Sequence, residues 1–223
     1  MKLLLIGFGR MGHLVEELAV EQGHEVAGRI TRSSSTSEWP PADVAIDFSG
    51  GDAVRTNISR LAERRTNVVI GTTGWQEHEA EVRRVAMDAG LGVVASANFS
   101  VGVNVFQMIA AEAARRMQGQ AEYGAWIHEA HHAAKKDAPS GTALLLRDAI
   151  MNAGFGRPID MSSTRAGSIP GTHTIGFDGP SDTIELTHTA RDRRGFARGA
   201  LAAASWVQNR RGWFSMMDVL GAP

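Results

Sequence analysis

The stretch that most limits what this chain can fold into is its beginning. Lys2–Ile6 reads KLLLI, and Gly7-Phe8-Gly9-Arg10-Met11-Gly12 follows without a break. Met11, Leu14, Val15, Leu18 and Ala19 then recur at helical spacing, and Gln22-Gly23 offers a glycine stop. Glu25–Ile30 reads as a second strand. Strand, G-x-G-x-x-G, helix and strand in this order form the context in which the glycine pattern signifies a dinucleotide site. Gly7 permits the tight turn, Gly9 lets the backbone approach a pyrophosphate, and Gly12 lets helix and strand pack closely. Phe8, Arg10 and Met11 complete the candidate loop.

The position after the second strand reads the ribose. An acidic side chain there binds the ribose hydroxyls and repels a 2′-phosphate. Here the place is held by Thr31, followed by Arg32 and by Ser33, Ser34 and Ser35, with Arg29 two positions before. Arginine suits a 2′-phosphate by charge and by its forked geometry. NADPH is therefore the expected cofactor, with NADH as the weaker alternative.

Strand and helix keep alternating. Val44–Phe48, Asn67–Ile70 and Leu91–Ala95 read as strands, with helices over 54–62 and 76–89 between them. That rhythm predicts a parallel, doubly wound sheet with its ligand edge at the strand C-termini. Gly71, Thr72 and Thr73, and then Ser96, Ala97, Asn98 and Phe99, fall at that edge and are candidate cofactor residues.

After Ser100 the pattern changes. Val105–Met117 reads as a helix and Tyr123–Ala130 as a strand. Met161–Ala166, His173–Phe177 and Thr183–Thr189 are strand-like runs joined by turns, which predicts a mixed or antiparallel sheet. In the last run Ile184, Leu186 and His188 alternate with Glu185, Thr187 and Thr189, an apolar face that suggests burial against another subunit. Phe196–Asn209 reads as a final helix returning to the first domain. The expected architecture is α/β: a Rossmann-type parallel sheet over 1–100 and 197–223, and a smaller α+β domain with a mixed sheet over 101–196. Hinges are expected near 127–129 and 193–196.

The densest chemistry lies at Glu129–Thr142, EAHHAAKKDAPSGT. His131, His132, Lys135 and Lys136 crowd ahead of a Pro-Ser-Gly turn and a helix-forming run. Free backbone N–H groups of Gly141 and Thr142 at a helix start would face an anion. The histidines and Lys135 add charge and a transferable proton. Paired histidines and lysines are otherwise most often solvated surface. The apolar flanks Ala125-Trp126-Ile127 and Ala143–Leu146 argue for a loop held on a rigid scaffold.

Bulk properties narrow the classes. A formal net charge of −1 leaves no basic field for nucleic acid. With no cysteine there are no disulfides and no zinc–thiolate sites, and no metal is called for. The opening apolar run stops at Gly7 with no cleavage pattern, and no run approaches the ~20 residues needed to span a bilayer, so a cytoplasmic protein is expected.

These pieces together resemble the 4-hydroxy-tetrahydrodipicolinate reductase (dihydrodipicolinate reductase) family. The resemblance rests on GFGRMG at 7–12, IDFS at 46–49, GTTG at 71–74, ANFSVGVNV at 97–105, EAHHAAKKDAPSGT at 129–142, PGTHTIGF at 170–177 and IELTH at 184–188. It implies that His131 is the acid/base histidine and Lys135 the proton donor. It implies that His132 and the Gly141 and Thr142 amides hold substrate carboxylate, and that 7–12, 71–73 and 96–99 are cofactor loops. It further implies a cyclic dicarboxylate substrate and a homotetramer. The stretch between Arg32 and Asp43 is shorter than the family's usual length, so the chain is a compact member. An aspartate-type amino-acid dehydrogenase and a non-catalytic nucleotide sensor are the competing readings.

Overall fold

The computed structural model describes residues 1–34 and 39–221. It divides into two compact units, Met1–Val101 with Arg193–Pro223, and Gly102–Asp192.

The first unit is built on β1 (Lys2–Ile6), α1 (Arg10–Glu21), β2 (Glu25–Ile30), β3 (Val44–Asp47), α2 (Gly51–Arg64), β4 (Asn67–Ile70), α3 (Glu79–Asp88) and β5 (Gly92–Ala95). All strand pairs are parallel, and with a late strand β10 (Gly212–Phe214) the order is β10-β5-β4-β3-β1-β2. The period-2 alternation of β1 divides its side chains between two cores. Leu3 and Leu5 pack with Val15, Leu18 and Ala19 of α1 and with the alanine-rich α6 (Arg194–Val207). Leu4 and Ile6 pack on the other face with Val54, Ile58 and Leu61 of α2 and Val82 and Ala86 of α3. Each such buried aliphatic side chain contributes about 2 kcal/mol, so both faces must stay covered. The strand order reverses between β1 and β3, and the crevice at the C-terminal ends of those strands is where doubly wound sheets bind ligands. α1 ends as its sequence predicts: Gly23 takes φ +74°, and His24 N–H donates back to the Ala19 carbonyl.

The second unit carries α4 (Val101–Met117, its first residue in the first unit), β6 (Gly124–His131), α5 (Gly141–Asn152), β7 (Ile159–Arg165), β8 (Thr172–Asp178) and β9 (Thr183–Thr189). Its sheet order is β7-β6-β8-β9, with β6–β7 parallel and the other pairs antiparallel. The expected mixed sheet is present. Phe106, Ala110, Ala114 and Met117 of α4 and Ala143, Leu146 and Ile150 of α5 cover one face, against Ala125, Ile127, Ile175 and Phe177.

Several local expectations are corrected. α4 starts at Val101 rather than Val105, because burial of Val103 and Phe106 outweighs the weak helix preference of Val101-Gly102-Val103. The chain over 76–89 opens with a 3-10 turn, Gln76–His78, before α3. β10 and the short α7 (Met216–Val219) carry no periodic signal because they are so brief. Asn67 anchors the approach to β10, its amide donating to the carbonyls of Val207, Gln208 and Arg210. Residues 127–129, expected to hinge, form the centre of β6, paired on both sides, so no hinge lies there. The alternating apolar face of β9 is also not the open one. Leu186 packs on the covered core, whereas the opposite face shows Thr172 bonded to Thr189 and Thr174 to Thr187. No helix among the described residues is long and apolar enough to cross a membrane.

Candidate active site

In the first unit the glycines do what their spacing predicts. Gly7 adopts φ +84°, and a Cβ there would collide with the Phe48 carbonyl. A Cβ at Gly12 would strike the Gly7 carbonyl, so this contact sets how closely α1 approaches the turn. A Cβ at Gly9 would meet nothing within 4 Å, which leaves open backbone at the helix mouth. No side chain caps α1, and the N–H groups of Arg10, Met11 and Gly12 have no intrahelical acceptor. A helix start with bare amides and open backbone fits a pyrophosphate. Beside it lies a cleft of about 730 Å³ lined by Gly7, Phe8, Thr31, Arg32, Ser34 and Arg60, among others.

Thr31 accepts no charge. Its N–H donates to Ser34 Oγ at 3.0 Å, and its hydroxyl lies 3.0 Å from Ser33 Oγ. The Arg32 side chain is 90% exposed and only 3.9 Å from Asp52 Oδ2, a loose surface pair that leaves it able to turn toward a ligand. Arg29 is not in the cleft lining; it pairs with Glu16 and lies over the Phe8 ring. Ser35 lies outside the described residues.

The other candidate cofactor loops mix ligand-facing backbone with structural side chains. Thr72 is buried, and its hydroxyl donates to Asp47 Oδ1 at 2.9 Å. Its carbonyl accepts from the Trp75 indole at 2.7 Å. A Cβ at Gly71 would collide with the Phe48 ring, and Thr73, two positions on, is exposed. Ser96 Oγ donates to the Asn98 carbonyl and accepts from the Asn98 N–H, which shapes the turn through Ala97. Phe99 is 2% exposed and belongs to the core, edge-on to Phe48. Thr72 and Phe99 side chains are thus scaffold, and only backbone from those residues is available to a ligand.

In the second unit the register of the sheet builds the site in rows. On the covered face of β6, Ala125, Ile127, Glu129 and His131 alternate. Ile127 lies between Met161 of β7 and Ile175 of β8, an apolar row. Two residues on, Glu129 lies between Ser163 and His173, with His188 of β9 beyond. One further step pairs His131 with Arg165. The covered face therefore turns from apolar to ionisable as β6 reaches its loop.

Glu129 is 1% exposed. Its Oε1 accepts from Ser140 N–H at 2.9 Å, Ser163 Oγ at 2.7 Å and Arg165 Nη2 at 2.6 Å. Burial raises its pKa, but hydrogen bonds from Ser140, Arg165 and Ser163 outweigh that and hold it at about 2. His131 Nδ1 lies 3.4 Å and His173 Nε2 3.5 Å from Glu129 Oε2. Burial pushes His173 down to about 4, with His131 adding to the shift. Burial also lowers His131, opposed by Glu129 and assisted by Lys135 and Arg165.

The loop after β6 is tied at several points. Ala133 N–H donates to the Gly167 carbonyl at 3.1 Å, and Arg165 Nη2 to the Asp137 carbonyl at 2.5 Å. Lys135 Nζ donates to both carboxylate oxygens of Asp137, at 2.8 and 2.9 Å, which holds the ammonium in place and lowers the Asp137 pKa. Ser140 caps α5: its Oγ accepts from Ala143 N–H at 3.2 Å. The N–H groups of Gly141 and Thr142, at the first turn, have no acceptor among the described residues and remain open to an anion. His132 is half-buried at the loop's first position. Glu129, Arg165 and His173 were not singled out from sequence. The available signal was the alternation of Glu129 with Ile127 and of His173 with Ile175 and Phe177, which places both polar groups on a buried face.

Comparison with known proteins bears on this geometry. Residues 35–99 match the model described as dihydrodipicolinate reductase, N-terminus, and residues 102–220 that described as dihydrodipicolinate reductase, C-terminus. The chain belongs to the dihydrodipicolinate reductase family. It is 36% identical to a 4-hydroxy-tetrahydrodipicolinate reductase of Christiangramia forsetii, over 99% of this chain and 98% of that one. A reductase of the same name from Methanosarcina barkeri is 42% identical over 81% of this chain and 73% of its own length. Among solved structures, a dipicolinate-bound dihydrodipicolinate reductase from a Paenisporosarcina species superposes with a TM-score of 0.83 at 20% identity, covering 98% of each chain, a likeness of fold. An aspartate dehydrogenase from Thermotoga maritima shares the fold more distantly, with a TM-score of 0.53 at 12% identity over 94% of this chain and 97% of that one.

Proposed function

We propose that this chain reduces 4-hydroxy-tetrahydrodipicolinate to tetrahydrodipicolinate with a reduced nicotinamide cofactor, a step of lysine and diaminopimelate synthesis. The observation that carries the reading is the tethered loop of a family member that presents His131, Lys135 and the open Gly141 and Thr142 amides together. The first unit is read as the dinucleotide-binding domain and the second as the substrate domain.

The substrate is a cyclic dicarboxylate. His132 and the amides of Gly141 and Thr142 hold a carboxylate, aided by the N-terminal dipole of α5. When bound, the nicotinamide supplies the hydride. His131 and Lys135 supply the proton that the neighbouring ring carbon needs to complete reduction. The bare amides of Arg10, Met11 and Gly12 hold the pyrophosphate, and the backbone of 71–73 and 96–99 borders the remainder of the cofactor. A biosynthetic reduction of this kind is assigned to the cytoplasm.

NADPH is the preferred cofactor in this reading, and NADH the alternative. Thr31 cannot repel a 2′-phosphate, and the exposed Arg32 exchanges Asp52 for it. A charge-assisted hydrogen bond contributes ~1.5–3 kcal/mol, so roughly tenfold or greater discrimination is expected. In an assay coupled to condensation of pyruvate with aspartate semialdehyde, purified protein should consume NADPH faster than NADH. Arg32→Ala should lower kcat/KM for NADPH by about tenfold and leave NADH nearly unchanged. A protein that binds NADPH yet oxidises none with this substrate refutes the function. A neutral Arg32→Ala refutes the cofactor assignment alone.

The chain is further read as a homotetramer joined through the sheet of the second unit. The open, threonine-paired face of β8 and β9 supports this. Light scattering at micromolar protein should return four times the chain mass; a monomer mass rules the assembly out.

A further inference from the structure

Two buried polar atoms face one another without partners. Glu129 Oε2 and His131 Nδ1 accept and donate no hydrogen bond, yet lie 3.4 Å apart. Leaving both unpaired costs about 1–3 kcal/mol each, a cost that a proton placed between them would relieve. Glu129 is ionised and can only accept. The proton therefore belongs on Nδ1.

His173 Nε2 also reaches that oxygen, at 3.5 Å, but Ser140 Oγ is nearer to it, at 3.1 Å. Ser140 Oγ already accepts from Ala143 N–H, so its own proton is free to go to His173 Nε2, 3.1 Å away. In the His173 tautomer protonated on Nδ1, Nε2 is that acceptor and leaves Glu129 Oε2 to another donor. Two buried donors here have no partner, His131 Nδ1 and Arg165 Nε; His131 Nδ1 lies 3.4 Å from Glu129 Oε2, whereas Arg165 meets the carboxylate at Oε1 through Nη2.

We propose that Glu129, clamped by Ser140, Ser163 and Arg165, is the positioning residue of His131: it holds the ring with its proton on Nδ1 and reserves Nε2 for proton exchange with substrate. The inference rests on the function proposed above. Gly171 keeps the working edge of the ring open. It takes φ +121°, and a Cβ there would lie 3.3 Å from His131 Nε2. The proton balance is simple. A proton from solvent enters at Nε2, because Nδ1 keeps its own, and the resulting imidazolium is offset by the Glu129 carboxylate. Delivery of the Nε2 proton to the ring carbon returns His131 to its neutral Nδ1–H form.

The test reads the proton directly. Nitrogen NMR of ¹⁵N-histidine-labelled protein, with the His131 signals assigned by their loss in His131→Gln, reports which ring nitrogen is protonated and needs no turnover. In the wild type, neutral His131 should carry its proton on Nδ1. A proton on Nε2 overturns the proposal, whether or not the chain reduces the proposed substrate. If the Nδ1 proton is found in a chain that reduces nothing, the proposed function falls and the positioning role stands.

Glu129→Gln supplies the second readout. Its kcat should fall ~10–100-fold, as for other lost orienting partners, with KM little changed. The charges facing His131 are Glu129 on β6, Arg165 on β7, His173 on β8 with His188 behind it, and Lys135 and Asp137 on the loop. Of these only Glu129 and Asp137 favour the imidazolium. Removing Glu129 lowers the His131 pKa, so the alkaline limb of the kcat profile should move to lower pH. A purely structural role would reduce activity without moving that limb, and an unmoved limb in folded Glu129→Gln also overturns the proposal.

Discussion

His131→Ala should lower kcat by about 10²-fold or more, and Lys135→Ala by a similar factor, the usual range for a lost general acid. The geometry makes these the chemical positions. His131 is the last residue of β6, its Nδ1 turned inward to Glu129. Lys135 is 25% exposed and held by both oxygens of Asp137, so its ammonium is placed rather than free to wander. His132→Ala should behave differently, raising KM with kcat nearly intact, because carboxylate binding is felt in ground and transition states alike. Steady-state kinetics of the three variants with one cofactor decide the matter. An untouched kcat in Lys135→Ala removes that residue as proton donor.

Gly7→Ala should strongly destabilise the first unit. Two penalties coincide: the left-handed φ costs ~1–2 kcal/mol for a residue with a Cβ, and the collision with the Phe48 carbonyl ~1–3 kcal/mol. Together they amount to about 3 kcal/mol, or a fall in Tm of roughly 6–12 °C for a chain of this size. Gly9→Ala is the informative contrast. Its φ is −91° and a Cβ there meets nothing, so the fold should tolerate it while NADPH affinity falls because the backbone can no longer approach the pyrophosphate. Thermal unfolding and a cofactor titration separate the two. Equal thermal shifts in both variants, with unchanged binding in Gly9→Ala, would refute this division of roles.

Some of this architecture was legible in the residues because its causes are local. A strand of four aliphatic residues, a glycine turn and a helix with a glycine stop are short-range signals, and the first unit follows them from Lys2 to Ile30. The strand and helix alternation up to Ala95 has the same origin. The loop from Glu129 to Thr142 was also visible, since its charges and its Pro-Ser-Gly turn are contiguous. Its cap was less so: only the structure shows Ser140 accepting from Ala143 while its own N–H donates to Glu129.

What the chain determined by itself is therefore its contiguous content: the dinucleotide turn, the order of strands and helices, and the string of protonatable side chains. What tertiary structure decided depends on partners far apart in sequence. β10 exists because β5 offers it a parallel edge and Asn67 binds the carbonyls before it. Thr72 and Phe99, read as ligand residues, turn inward because Asp47 and the core of the first unit need them. Glu129 gains its meaning only when β7 and β8 bring Ser163, Arg165 and His173 beside it, across sequence gaps of 34 to 44 residues that no local periodicity can register.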